Sequence, residues 1–447
     1  MPITSNLCNI FNFERAARMG MQLCAIFGVH PAFCRNKQKR DGNFMTDYNS
    51  LLAICQNDSS VSKEVVDDFL VYYASAREKT DRVFDKKISR FAHVAKGMPS
   101  NWNGLIKAQF IGHQIFKAGG LINKYLNHSA VKQLKPEQRI YLKKMADQPW
   151  RFSFGTVEGN PAPDFYEMED AFDGSTYLLH SRSMSQTLSE HNVLLWFNLI
   201  GYNGSCWQTF GPVIALKSFS ADDIFFYATE INSEIESEED LTTDIEENPI
   251  QYMMLAAGSN YPLIESRGHE ILQVFGQGHS GDIDVKALKS EFTVEYAKPV
   301  FRISHSAWSE HPHSTVAYYH EELGTVSLTG LTDAGYHEMA MLLKKNRLAV
   351  PEDPDIRIHV QLLKTMETVF KKRPDIDPYA RLFEKARSPQ AEASLAKLNQ
   401  FMMLALPYIN SGKEPDIDAL AKKAGVDPES AREVLKATLN KVKEMRK

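Results

Sequence analysis

The sequence predicts an α+β multidomain protein: a helical N-terminal domain, a small antiparallel β-barrel, an α+β unit and a helical C-terminal tail. Three observations carry this prediction. Apolar spacing changes from three and four residues before position 147 to short β-branched and aromatic runs after it. Turn signals cluster between those runs. Charge is segregated, with 22 Lys and Arg against 12 Asp and Glu in residues 1–150, 11 against 29 in residues 151–350, and 18 against 15 in residues 351–447. A chain of 447 residues, 43% hydrophobic and 24% charged, excludes a disordered or fibrous protein and has room for about two to four domains.

Residues 1–146 read as a basic helical domain. Val65, Val66, Phe69, Leu70 and Tyr73 fall on one face of a helix over Val61–Arg77, and Arg82–Val94 and Leu105–Leu126 repeat the pattern. An apolar helix around Met19–Phe33 reads as core. Residues 147–229 then carry strands over Arg151–Val157, Asp164–Glu169, Thr176–Leu179, Val193–Ile200 and Ser205–Ile214, bounded by Gly159-Asn160-Pro161, Asp173-Gly174 and Asn203-Gly204. Asp-Gly and Asn-Gly supply the positive φ of tight hairpins, so consecutive strands are expected to pair antiparallel, in a barrel of SH3 or OB type. Residues 230–249 hold nine acids and no base between Glu230 and Glu247, the pattern of a self-repelling, solvated linker. In the α+β unit, residues 250–350, Asn260–Val274 reads as helix and Glu291–Ile303 and Thr315–Leu331 as strands. Asp333–Arg347 reads as a helix capped by Thr332 or Asp333. Residues 351–447 read as helical, interrupted at Pro374, Pro407 and Pro415, with a hairpin at 416–447.

Cys8, Cys24, Cys34, Cys55 and Cys206 are odd in number and include no Cys-x-x-Cys pair, so neither a disulfide framework nor a thiolate zinc site is indicated. The run from Met21 to Cys34 is too short to span a bilayer. These features point to the reducing cytoplasm and to no membrane.

The stretch Ile417–Leu435 has the most specific local pattern. Leu420, Ala421 and Ala424 line one helix, Gly425 supplies a left-handed turn, Asp427 caps a helix starting at Pro428, and Val434 and Leu435 close the core. This resembles the helix-turn-helix family over about 35 residues, with Ala431 where the family commonly has a larger aliphatic. The resemblance implies phosphate contacts from Arg432, Lys436, Lys441 and Lys443. A second resemblance runs through 134–231, on Pro149-Trp-Arg-Phe152, Phe165-Tyr-Glu-Met-Glu-Asp-Ala-Phe-Asp-Gly174 and Trp207-Gln-Thr-Phe-Gly211. It is similar to the β-module of uncharacterised bacterial proteins, some of which end in a Cys-rich SEC-C tail. No Cys follows Cys206, so no zinc tail is implied.

Two further patterns bear on chemistry. His279, Asp282, His311 and His313 offer imidazole and carboxylate ligands for a metal-dependent hydrolase, although Pro312 disfavours a paired strand there. Gly276-Gln-Gly-His-Ser-Gly281 matches the dinucleotide string G-x-G-x-x-G without a βαβ frame, and reads as a turn. The residues therefore indicate a cytoplasmic binding or regulatory protein with no cofactor. Its expected partner is nucleic acid or another polyanion, held by Arg35, Lys37, Lys39 and Arg40 of the first domain and by the C-terminal hairpin. The rival readings are the metal-dependent hydrolase and a scaffold whose acidic stretch docks a basic protein.

Overall fold

The computed structural model describes residues 46–189, 192–258, 261–377, 379–383, 389–410 and 415–445. The chain is a multidomain α+β protein with a closed five-stranded barrel. The predicted helix around Met19–Phe33 lies outside the described residues.

In the helical domain, α1 (Tyr48–Ser62) starts at Asp47, whose carboxylate accepts from the amides of Asn49 and Ser50. It runs into a π-helical stretch, Lys63–Leu70, and on into α2 (Val71–Glu78), which ends at Lys79 in the left-handed conformation. Then come α3 (Thr80–Ile88), α4 (Trp102–Phe116) and α5 (Pro136–Asp147). α4 buries Trp102, Ile106, Phe110, Ile111, Ile115 and Phe116, more than one stripe, because helices cover one side of it and the barrel the other.

The barrel comprises β1 (Arg151–Ala162), β2 (Phe165–Asp170), β3 (Thr176–His180), β4 (Leu195–Tyr202) and β5 (Trp207–Leu216), closed in the order β1-β2-β3-β5-β4. Every expected strand is present. The expectation of uniformly antiparallel pairing is corrected at one seam: a short helix, Arg182–Leu188, joins β3 to β4, so β3 meets β5 in parallel. That connectivity is the OB-type alternative. Alternation along β1 sends Phe152 and Phe154 toward the helices, where both stack on Phe197, while Ser153 points inward to the Tyr177 hydroxyl.

The acidic stretch is not a solvated linker. It completes α6 (Ala221–Ile231) and forms α7 (Glu238–Glu247), whose first turn holds Glu238, Glu239 and Asp240, where the helix dipole favours them. Asp244 is buried and accepts from Asn232, Asn248, Gln251 and Tyr252. Glu246 reaches the barrel and α4, accepting from the Phe152 amide at 2.7 Å and pairing with His113 Nε2 at 2.6 Å. Asp244 and Glu246 are thus drawn inward and tie the stretch to the fold, while the other seven acids lie exposed on ordered chain.

The second unit is a six-stranded antiparallel sheet of β6 (Leu272–His279), β7 (Thr293–Ala297), β8 (Val300–Ser304), β9 (Thr315–His320), β10 (Thr325–Gly330) and β11 (Ile356–His359), ordered β11-β6-β10-β9-β8-β7. It packs against α8 (Asp333–Lys345), capped by Thr332 as expected. Two expectations fail here. The predicted helix over Asn260–Val274 is replaced by a two-residue ladder, Glu265–Ser266 with His269–Glu270, and by the start of β6. The Gly276 and Gly278 string lies inside β6 rather than in a turn: a Cβ on Gly278 would sit 1.8 Å from the Ala349 carbonyl, and one on Gly276 2.0 Å from the Tyr336 hydroxyl. Those glycines admit close packing of neighbouring chain over the strand.

The tail begins later than position 351, because β11 belongs to the sheet and α9 (Val360–Phe370) returns to the first core. Beyond it, α10 (Pro389–Asn410), α11 (Ile417–Ala424) and α12 (Pro428–Met445) share a small core of Phe401, Ala405, Ala421, Ala424, Ala431 and Leu435. Among the described residues no helix is long and apolar enough to cross a membrane.

Candidate functional site

A cavity of about 210 Å³ lies where α1, the π-helical stretch and α4 meet β4 and β5. Seams between domains are common ligand sites, and π-helical turns recur at functional positions. The π-turn supplies Val66 and Asp67, α1 supplies Asp58, Ser59 and Ser62, and α4 supplies Gln109 and Gly112. The opposite wall is Trp150, Leu199, Gln208, Thr209, Phe210 and Gly211. Trp150 is sandwiched, its ring 3.7 Å from that of Phe210 and 4.2 Å from that of Phe116, so this wall is flat and rigid. β5 passes so close to α4 that a Cβ on Gly211, which has φ +72°, would meet Gln109 Cβ at 2.9 Å.

Polar groups in the cavity are fixed before any ligand arrives. Gln109 Nε2 donates to the Phe210 and Pro212 carbonyls at 2.8 and 3.1 Å, which sets the amide's orientation. Its Oε1 is buried and has no partner. Asp58 is buried and paired with Lys144 at 2.9 Å. Asp67 stands at the mouth, its carboxyl held above the usual range by desolvation and by Asp68. An unpaired buried acceptor costs about 1–3 kcal/mol, and Gln109 Oε1, which solvent does not reach, stands as one at the cavity wall.

None of the described residues nominated from sequence lines this cavity. Arg35, Lys37, Lys39 and Arg40 lie outside the described residues. Arg432 is exposed and bonded to Asp418, and Lys436 is exposed. Lys441 and Lys443 are on α12, and their side chains are outside the description. Of the twelve described lysines of the first domain, Lys107, Lys124, Lys135 and Lys144 pair with Asp85, Glu78, Glu64 and Asp58, and Lys87 bonds the Glu247 carbonyl and Asn248.

The histidine set is corrected outright. His311 bonds Ser266 at 2.9 Å and His313 bonds Thr332 at 2.8 Å, beside the His269 ring. His279 is paired with Thr325 at the opposite end of β10, which puts about 17 Å of strand between the two groups. Asp282 follows His279, so the four residues form no centre. Among the described residues no cluster of His, Cys, Asp and Glu is arranged to hold a metal ion. Of the nine acids from Glu230 to Glu247, seven stay exposed, Glu230, Glu234, Glu236, Glu238, Glu239, Asp240 and Glu247.

Sequence reasoning missed two polar clusters. Asp223 is fully buried and accepts from the His359 amide and from Ser220, while its Oδ2 lies 2.7 Å from His359 Nδ1. Glu270 and Arg357 complete this junction between α6 and the second sheet. The other cluster is the pair Cys55 and Cys206. The local Asn203-Gly204 turn was legible, but nothing along the chain announces which distant residue it meets. Compared with known proteins, the chain matches no family model, and no curated protein and no solved structure is significantly similar to it.

Proposed function

We propose that this is a binding protein for a small hydrogen-bond donor, an amine in the first instance, taken into the cavity between α4 and β5. The observation that carries the proposal is the clamped Gln109 amide with its Oε1 unpartnered and buried. Asp67 at the mouth gives the entrance a negative charge that favours a cation. The volume of about 210 Å³ exceeds the roughly 150 Å³ that accepts benzene and falls below the roughly 300–1,000 Å³ of drug-sized ligand sites, so the occupant is small. The two buried free thiols fit the proposed cytoplasmic setting. Thermal denaturation of the full chain with small primary amines, polyols and size-matched carboxylic acids tests it. Amines are expected to raise the midpoint most, polyols less and acids not at all; stabilisation by the acids alone overturns the reading.

A second reading keeps the C-terminal hairpin as a helix-turn-helix module for nucleic acid. In its favour, α11 ends at Gly425 with φ +66° and Asp427 accepts from the Ser430 amide at the start of α12. Against it, the exposed opening turns of α12 carry Asp427, Glu429 and Glu433 beside the described cations Lys422, Lys423, Arg432 and Lys436. Each phosphate contact adds about −0.9 to the slope of log affinity against log salt, so contacts from those four predict a slope of about −3.6. Duplex DNA retention that does not change with salt removes this reading.

A further inference from the structure

Cys55 is on the inner face of α1 and Cys206 is in the turn that opens β5, so 151 positions separate two sulfurs that lie 3.4 Å apart. Both thiols are free and buried beside Phe165. Asn203 directs its Nδ2 at both sulfurs, 3.3 Å from Cys55 and 3.6 Å from Cys206, while its Oδ1 accepts from the Ser205 and Cys206 amides and so holds the side chain in place. His180, also buried, stands beside Cys55 with its Nε2 unpartnered. The two thiols are unlike. The bond to Cys206, aided by His180 and Asn203 and opposed by burial, holds Cys55 below the usual thiol range. Cys206 is pushed up by its bond to Cys55 and by burial. One thiolate facing one thiol is the arrangement in which the first sulfur attacks an oxidant and the second resolves it.

We infer that Cys55 and Cys206 are an oxidation site, a dithiol that hydrogen peroxide closes into a disulfide joining α1 to the barrel. The Cys55 thiolate, its proton passed to His180, attacks one peroxide oxygen. The O–O bond breaks, Cys55 becomes a sulfenic acid, and the departing hydroxide takes the proton from His180 to leave as water. The Cys206 sulfur then attacks the Cys55 sulfur; the S–S bond forms, the S–O bond breaks, and the Cys206 proton leaves with the hydroxyl as a second water. Two thiols are oxidised by two electrons and one peroxide is reduced to two waters.

The cavity reaches the immediate neighbours of this pair. Gln208 lines it, donates to the Cys55 carbonyl and the Ser59 hydroxyl, and accepts from Asn203 Nδ2. A molecule scarcely larger than water is suited to that route, and a peptide disulfide is not. The inference does not depend on the ligand reading, since it needs only the thiols and their neighbours.

The test is a non-reducing peptide map of the full-length chain after a graded peroxide treatment, with sulfoxidation of exposed Met403 as the dose marker. The expected product is a Cys55–Cys206 linked peptide pair, lost again on adding reductant. In Cys206→Ser, Cys55 should instead be trapped as a sulfenic acid by dimedone, and His180→Gln should slow closure about tenfold near neutral pH and less at alkaline pH. Both cysteines remaining alkylatable after unfolding, at a dose that has consumed Met403, overturns the inference. So does linkage confined to Cys8, Cys24 and Cys34. The wild-type map stands even if a variant fails to fold.

Discussion

Gln109→Leu separates the cost of a buried unpaired acceptor from the value of a ligand that pairs with it. The change deletes two amide–carbonyl bonds, Nε2 to Phe210 O at 2.8 Å and to Pro212 O at 3.1 Å. At about 1 kcal/mol each these amount to about 2 kcal/mol of lost stability. The change also removes the buried, unpartnered Oε1, whose desolvation costs about 1–3 kcal/mol in the native protein, and leucine keeps the volume. The two effects offset, so the urea midpoint of the ligand-free chain should correspond to a loss of no more than about 1 kcal/mol. With an amine at about 100 times its Kd the wild type gains about 2.7 kcal/mol, whereas a variant weakened tenfold to a hundredfold gains only about 1.4 to 0.4 kcal/mol. Chemical denaturation with and without the amine measures both. Loss of 3 kcal/mol or more in the ligand-free chain, or equal stabilisation of both proteins by the amine, refutes the reasoning.

Other outcomes follow from the same structure. His359 is desolvated, but its bond to Asp223 and the charges of Asp223 and Glu270 outweigh that and Arg357, so its pKa lies above 6.5. A raised folded value means the contribution is complete below the unfolded pKa and is lost as pH rises through the folded one; urea midpoints should fall on that alkaline side, and His359→Gln should flatten the fall. Asp377 is raised to about 6 by burial, so its native carboxyl favours the neutral form and loses stability between pH 4 and 6 as the pH rises. Asp377→Asn should therefore stabilise the chain at neutral pH by about 1–3 kcal/mol in calorimetry. Gly278→Ala, whose Cβ meets backbone at 1.8 Å, should cost about 3 kcal/mol or more, whereas Gly104→Ala in α4, with nothing within 4 Å, should stabilise by about 0.5–1 kcal/mol. Peroxide-oxidised protein, with a 151-residue loop closed, should gain up to about 5 kcal/mol over the reduced form in the chain-entropy model.

What was legible in the sequence was local. The five barrel strands follow from alternation and from Asp-Gly and Asn-Gly turns, and the hairpin of α11 and α12 follows from Gly425 and Asp427, because both signals are read within a few residues. The acidic stretch misled because charge along a chain does not report hydrogen bonds across it: Glu246 finds His113, which is 133 positions away. Gly276 and Gly278 misled because a glycine that admits Tyr336 or Ala349 looks, in sequence, like one that admits a phosphate. The cavity was invisible for a third reason. Gln109 is an ordinary residue on an apolar helix, and only its encounter with the Phe210 and Pro212 carbonyls leaves one of its oxygens stranded. The thiol pair likewise depends on long-range assembly, since four of the five cysteines crowd the first 55 residues and draw attention from Cys206.

The most direct measurement is a crystal structure of the protein soaked with whichever small amine stabilises it best. The account predicts the amine in the cavity between α4 and β5, its nitrogen or a neighbouring hydroxyl within hydrogen-bond distance of Gln109 Oε1 and its charge turned toward Asp67. Water alone at Gln109, with the amine bound at another surface or nowhere, contradicts it.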